Sequence, residues 1–280
     1  SKVTDMTHMF ENCYGMTYFK APALVSSSVI DCSSMFDNCM KLDSLDISKY
    51  DTSSVVYMNS MFYKMSSLSY IDVSNFKNNN LENVTSMFEG CAYLKEINFG
   101  SFPTQQVMDM SNMFRDCRAL SSLDLNSFNT ENVIDMNGMF LNCEKLQKIN
   151  MKNFNTELVT DMSQMFSYCY ALDNLDLSNF KTENVIKMNK MFDSCKNLKN
   201  LDISNFDTYQ VEDMSYLFYG CESLTSLTLK FDTRNVKNMQ MMFNKCSSLA
   251  HIDVSQFDTS EVTTMEYMFS LCSSLKSNNL

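Results

Sequence analysis

Apolar residues recur along the chain at two alternating spacings, and these predict two kinds of structural element. Between Val133 and Leu146 the steps are of three and four residues, as on one face of a short helix. From Leu146 the spacing changes to LxxLxL, which places Ile149 and Met151 on one face of a short strand. Phe154 then closes a turn. The pattern predicts a unit of one helical segment, one strand and two connections.

The unit repeats along nearly the whole chain, and its clearest marker is a Met-Phe pair, once replaced by Leu-Phe. Successive pairs lie 26 residues apart, except for one 25-residue step between Phe218 and Phe243. About eleven units begin near residues 3, 29, 55, 81, 107, 133, 159, 185, 211, 236 and 262. One unit alone cannot offset an ordering entropy of about 1 to 2 kcal/mol per residue, so the units must stack. We expect residues 1–280 to form a single solenoid, as a fragment of a longer chain.

Stacking also predicts the curvature of the array. Parallel strands lie about 4.8 Å apart, whereas helices are about 10 Å wide. If each unit contributes one strand and one helix, this mismatch bends the array. We therefore expect the sheet on the concave side.

The repeat also resembles a known family. The pattern MFxxCxxLxxLDLSxFDTxxVxxM, from about Val3 to Leu275, resembles the 26-residue repeat of BspA-like bacterial surface proteins and lipoproteins, a leucine-rich-repeat class. The resemblance implies an α/β solenoid, coiled right-handed, with a parallel β-sheet on the concave side and short helices on the convex side. It also implies a surface-displayed or secreted protein whose signal or anchor lies outside this segment. A cytoplasmic location stays open because free thiols are typical of reducing compartments.

The charge of the chain narrows the classes of partner. The net charge of -11 disfavours nucleic acid and anionic membrane surfaces, since both require clustered Lys and Arg. No run of 18 apolar residues is present, so we expect no membrane insertion in this segment. The expected partner is a protein, from a host, a matrix or a cell surface, or a second copy of the chain.

Cysteine raises the question of metal sites and disulfides, since the chain contains 11. Nearly all occupy one repeat position, where Met65 stands in the third unit, and Cys32 takes the place of an inward Met. A cysteine that methionine can replace acts as a small apolar side chain. We expect buried free thiols and neither metal nor cofactor, with some disulfides or metal binding as the alternative. The column contains Cys13, Cys39, Cys91, Cys117, Cys143, Cys169, Cys195, Cys221, Cys246 and Cys272.

A polar row is predicted along the outward side of the strands. Its members are Asp46, Asp72, Asn98, Asp124, Asn150, Asp176, Asp202, Thr228 and Asp253. Like charges about 4.8 Å apart repel by roughly 0.9 kcal/mol even in water, and the neutral members partly relieve this. The row is either a binding strip for cations or a basic partner, or a solvated polar filler.

Residues that vary between units are the other candidates for partner binding, because fixed interiors with variable exteriors carry specificity in repeat proteins. With the six aspartates of the polar row, we select Tyr70, Lys148, Lys199 and His251 beside the strands. A second candidate surface consists of the tyrosines at outward places of the helical segments. These are Tyr14, Tyr63, Tyr93, Tyr168, Tyr170, Tyr219 and Tyr267. A threonine column before each helical segment is interpreted as turn structure.

The sequence favours a binding protein over an enzyme. Its two histidines, His8 and His251, lie in no distinctive cluster, and it has no phosphate loop or nucleophile elbow. We expect a non-enzymatic interaction or adhesion module of a surface-displayed protein. The alternative is a structural array that assembles end to end through uncapped solenoid ends.

Overall fold

The computed structural model, which describes residues 2–20, 24–77 and 79–279, is a stack of parallel coils with short strands on one face. This confirms the predicted repeat solenoid. The strands are β1 (Tyr18–Lys20), β2 (Ser44–Asp46), β3 (Tyr70–Asp72), β4 (Glu96–Asn98), β5 (Ser122–Asp124), β6 (Lys148–Asn150), β7 (Asn200–Ile203), β8 (Ser226–Leu229), β9 (His251–Asp253) and β10 (Ser277–Asn279).

The strands pair in twos rather than forming one sheet. All pairs are parallel: β1 with β2, β3 with β4, β5 with β6, β7 with β8, and β9 with β10. Equivalent residues face each other, as Leu123 and Ile149 do. In the described part of the chain, the unit that contains Leu175 has no strand, so ten strands stand where eleven units were expected. We call the outward side of these strands the strand face.

A second ladder of backbone contacts joins the units. Single parallel bridges connect one residue of each unit to the equivalent residue of the next. The bridge ladder joins every neighbouring pair of these coils, whereas strand pairing among the described residues joins only five pairs of them. The ladder runs through Asp5, Asp31, Tyr57, Asn83, Asp109, Asp135, Asp161, Lys187, Asp213, Asn238 and Thr264.

The predicted short helices were wrong: the described residues contain turns where helices were expected. In the unit around Phe140, Gly138 has φ 57° and Asn142 has φ 63°, values that no right-handed helix contains. The Gly138 amide donates to the Ser163 carbonyl of the next unit at 2.9 Å, in place of a bond within its own segment. The three-and-four spacing therefore belongs to stacked turns, whose inward side chains follow the same order. We call the outward side of these turns the turn face.

The concave sheet was predicted from the difference between strand spacing and helix width, and without helices this reason for curvature is absent. Stacked turns need less space than helices, because their amides bond directly from one unit to the next. The ring of Phe140 lies 5.7 Å from that of Phe114 and 5.5 Å from that of Phe166, close to the strand spacing of about 4.8 Å. No helix in the described ranges is long and apolar enough to cross a membrane.

One continuous apolar core runs from Met6 to Met268. The stacked phenylalanines and the neighbouring methionines fill it, and most of these side chains are fully buried. The cysteines are free, and most of their thiols donate to carbonyl oxygens of the preceding unit, as Cys91 does to Phe62 at 3.0 Å. The cysteine column thus serves the interior, as predicted for buried free thiols.

Burial should make most of these thiols unreactive. It raises the pKa of Cys91 and of Cys169 to about 12, so that almost no thiolate exists at neutral pH. Treating the native protein with a thiol-specific disulfide reagent near pH 8, we expect the half-buried Cys13 and Cys272 to react first. The remaining thiols should react only after unfolding in guanidinium. Fast reaction of all 11 thiols in the native state would contradict this assignment.

Candidate interaction surfaces

The aspartates of the polar row lie on the strand face and close local turns. The Asp176 carboxylate accepts a hydrogen bond from the Ser178 amide at 3.0 Å, and Asp202 accepts one from the Ser204 amide at 3.0 Å. Hydrogen bonds from these serines lower the pKa of both carboxyls, so both are charged at neutral pH. The row is therefore structural at each turn and negatively charged towards solvent.

Neutral amides and one lysine relieve the repulsion along part of the row. The Asn98 amide donates to Asp72 at 3.2 Å, and the Asn150 amide donates to Asp124 at 2.9 Å. Asp46 pairs with Lys20 at 3.1 Å. Two pairs of neighbouring row members are thus joined by hydrogen bonds, and Asp46 is neutralised by a lysine.

The other predicted site residues are spread along the strand face. Tyr70 lies on β3 with 47% of its surface exposed, and its hydroxyl is 3.4 Å from Asp72. Lys148 lies on β6, Lys199 directly before β7, and His251 on β9. At about 4.8 Å per unit, Asp46 and Asp253 are roughly 40 Å apart. The ten predicted residues therefore cannot form one small site.

Two of them, Asp176 and Asp202, come together in one groove. The groove has a volume of about 550 Å³ and is also lined by Asn174, Asn200 and Thr228. A second groove of about 560 Å³, on the other side of the same unit, shares Asp176 and Ser178 with the first and reaches Asn150 and Lys152. Polar side chains of four successive units thus surround one stretch of backbone.

That stretch, residues 174–176, belongs to the unit without a strand. Within the described ranges its backbone amides and carbonyls make no hydrogen bond to either neighbouring unit. The nearest strands, β6 and β7, pair away from it, with β5 and β8 respectively. The coils on both sides keep the regular spacing, with the Phe166 ring 5.5 Å from that of Phe140 and 5.9 Å from that of Phe192, so this stretch is a break in strand pairing within the stack.

The turn face holds a cluster of tyrosines and lysines. Tyr168 and Tyr170 have ring centres 6.0 Å apart, and the Lys196 ammonium lies 5.5 Å from the centre of the Tyr170 ring. The Lys245 ammonium lies 4.9 Å above the Tyr219 ring and donates to its hydroxyl at 2.6 Å. The sequence analysis did not identify Lys196 and Lys245 as part of this surface. Each lies 26 residues after the tyrosine that it covers, and this offset of one repeat is the signal that could have identified them.

A buried carboxylate belongs to the same cluster. Asp193 is only 4% exposed and accepts a hydrogen bond from the Ser194 hydroxyl at 2.7 Å. Burial raises the pKa of Asp193, whereas nearby Lys190 and Lys245 oppose that rise. Because its lysines already face tyrosine rings, the cluster is largely satisfied within the chain. The groove on the strand face is the more open candidate.

Comparison with known proteins gives one family. The model of the family described as "Mycoplasma protein of unknown function, DUF285" matches residues 4–122, 93–202 and 188–280. A solved leucine-rich repeat protein from Bacteroides ovatus is 19% identical, with 99% of this chain and 78% of that chain covered and a TM-score of 0.43. A leucine rich cell surface protein from Faecalibacterium prausnitzii is 18% identical, with 93% of this chain and 86% of that chain covered and a TM-score of 0.40. Curated proteins give no significant match.

Proposed function

This chain belongs to the family described as Mycoplasma protein of unknown function, DUF285, and we propose that it is a non-enzymatic protein-binding module that uses its strand face. Family membership agrees with the resemblance to bacterial leucine-rich-repeat surface proteins. The proposal includes display on the cell surface or secretion, adhesion to a host, matrix or cell-surface protein, and a binding unit of eleven repeats over residues 1–280.

The observation that carries the proposal is the groove around residues 174–176. Its walls are polar, and their residue types change between the second and third units, from Asn200 and Asp202 to Ser226 and Thr228. The inward residues stay apolar, as Leu175 and Leu201 do. Such a division separates stability from specificity, because outward residues can change without disturbing the core.

The chemistry of the groove selects a basic segment. Two pairs of aspartates occupy successive units of the row, and Asp46 of the first pair binds Lys20. Among the described residues, neither Asp176 nor Asp202 of the second pair forms an ion pair, so their charges add. Among the acidic residues of the polar row, this adjacency favours a lysine or arginine placed between the two carboxylates. Asn174 and Asn200 offer amides to the backbone or polar side chains of the same segment. We therefore propose a positively charged segment of a partner protein as the ligand.

Surface plasmon resonance of the intact chain against purified extracellular matrix proteins and cell-surface ectodomains tests the proposal. We expect at least one protein to bind, and Asp176→Asn with Asp202→Asn to weaken that binding about tenfold. Asparagine occupies the same row position at Asn150 and keeps the turn, so the double variant should stay folded. Binding should also weaken as salt is added, because the attraction is between exposed charges.

The matched control makes the same change in the same row away from the groove, as Asp72→Asn with Asp253→Asn. We expect this variant to bind like the original chain. Equal weakening by both double variants would place the contact elsewhere. Absence of any ligand, together with particles that grow with concentration in light scattering, would instead identify the self-assembling array.

A further inference from the structure

A third surface, separate from both the strand face and the turn face, carries exposed apolar side chains. Met108, Ile134 and Ile186 occupy the second position of their units, directly before the single-residue bridge ladder. They are 50%, 46% and 43% exposed. The Ile134 amide donates to the Met108 carbonyl at 2.8 Å, and Thr160 links Ile134 to Ile186, since its amide donates to the Ile134 carbonyl and its carbonyl accepts from the Ile186 amide, each at 2.9 Å. The side chains therefore stand in one line along the stack.

Leu158 adds an apolar side chain in the unit where the line is interrupted by a polar residue. Thr160 interrupts the apolar row, and Leu158, two residues earlier and 46% exposed, adds an apolar side chain in the same unit. In the units on either side the equivalent residues are asparagines: Asn132 donates to the Gln105 carbonyl and Asn184 to the Glu157 carbonyl, each at 2.8 Å. Leucine at this position gives up a hydrogen bond that both neighbours make. The leucine therefore extends the apolar row where its neighbours carry hydrogen-bonded asparagines.

We name Met108, Ile134, Leu158 and Ile186 the apolar stripe, and carboxylates lie on both of its sides. Glu131, Glu157 and Glu183 precede it in successive units, and Asp109, Asp135 and Asp161 follow it. Lysines neutralise part of this rim, through Lys181 with Glu157 at 2.7 Å and Lys187 with Asp161 at 3.1 Å.

The remaining rim charges are crowded. Burial and the nearby Asp161 and Asp109 raise the pKa of the half-buried Asp135, so its negative charge is held at a cost. A positively charged partner would relieve this crowding. A second copy of the chain, with its net charge of -11, would worsen it.

From the apolar stripe and its acidic rim, we infer that this edge of the solenoid binds an amphipathic helix of a partner protein with one apolar face and basic flanks. The spacing selects a helix, because units follow one another at about 4.8 Å and helical turns at about 5.4 Å. An extended strand would present one side chain to this face only about every 6.7 Å. Over the roughly 14 Å from Met108 to Ile186, successive helical turns stay opposite successive units.

A synthetic peptide provides the probe. It consists of about 18 leucines and lysines with leucine at i, i+3, i+4 and i+7, carries fluorescein, and is titrated with the intact chain while anisotropy is measured. We expect saturable binding that weakens about tenfold or more in the double variant Leu158→Asn with Ile134→Thr. Asparagine and threonine are native to these columns at Asn132 and Thr160, so thermal unfolding should be unchanged.

Three controls test whether the peptide binds at the apolar stripe and binds as a helix. Ile30→Thr makes an equivalent change in the same column outside the stripe, and Asp176→Asn with Asp202→Asn alters only the strand-face groove, so neither should weaken binding. A peptide of the same composition with alternating leucine and lysine tests for an extended ligand. Equal loss in Ile30→Thr, no loss in the stripe variant, or tighter stripe-dependent binding of the alternating peptide would overturn the inference. A concentration-dependent dimer abolished by the stripe variant would replace the helix with a second copy.

Discussion

Replacing Phe140 by alanine should lower the free energy of unfolding by about 3 to 5 kcal/mol, the largest loss we expect from one substitution. The Phe140 ring is fully buried, and it lies between the rings of Phe114 at 5.7 Å and Phe166 at 5.5 Å. Its removal opens a cavity shared by three units. In a solenoid each unit is held mainly by its neighbours, so this cavity weakens two interfaces at once.

Guanidinium unfolding followed by circular dichroism measures this loss. Because the weak point lies near the middle of the array, we also expect the single transition to separate into two. The control is Phe269→Ala: Phe269 is half-buried and stacks at 5.3 Å on Phe243, near the end of the stack. Its replacement should cost less than half as much. Equal losses at both positions would mean that stacking between units contributes little to stability.

The strand half of each unit could be predicted from the sequence because its constraints are local. In the stretch from Leu146 to Met151, alternation alone decides which side chains point inward, and Ile149 pairs with Leu123 as the repeat register requires. The same argument identified the outward row, since a strand places every second residue on one side. Cysteine burial followed in the same way, from a column in which Met65 substitutes for a thiol.

The helix prediction failed because the three-and-four spacing does not encode backbone conformation. Residues at left-handed φ recur twice per unit, but only some are glycine or asparagine, and Gln164, Tyr168 and Lys190 occupy the same places. Their strain is offset by hydrogen bonds to the next unit, which a single unit does not display. The two left-handed positions of a unit lie at i and i+4, as Gln164 and Tyr168 do. Glycine or asparagine at this spacing in several units is the sequence signal that could have suggested turns.

The groove itself was beyond sequence reasoning. The segment DNLDLSNF around Leu175 differs little from KNLDISNF around Leu201, yet only the second contains a strand. Whether a strand pairs depends on its neighbours, and neighbouring strands along this solenoid form separate pairs. The sequence identifies Asp176 and Asp202 as members of the polar row, but it does not indicate that both line one groove beside the unit without a strand.

Replacing Thr156 by valine should lower the free energy of unfolding by about 2 to 4 kcal/mol, because two backbone groups lose their partner. The Thr156 hydroxyl is fully buried; it donates to the Lys181 carbonyl at 2.8 Å and accepts from the Lys181 amide at 2.8 Å. Valine has nearly the same shape, so the loss reports hydrogen bonding and not packing. This threonine therefore joins two units.

Two controls isolate the hydroxyl in the same unfolding experiment. Thr156→Ser keeps both hydrogen bonds and loses one methyl group, so it should cost only about 1 kcal/mol. Thr160→Val removes an exposed hydroxyl whose bond to the Ile134 carbonyl is 3.2 Å long, and the released carbonyl still accepts the Thr160 amide. We expect that change to be nearly neutral. If both valine variants cost the same, the buried threonines would not be joining the units, and the two backbone ladders alone would hold the stack.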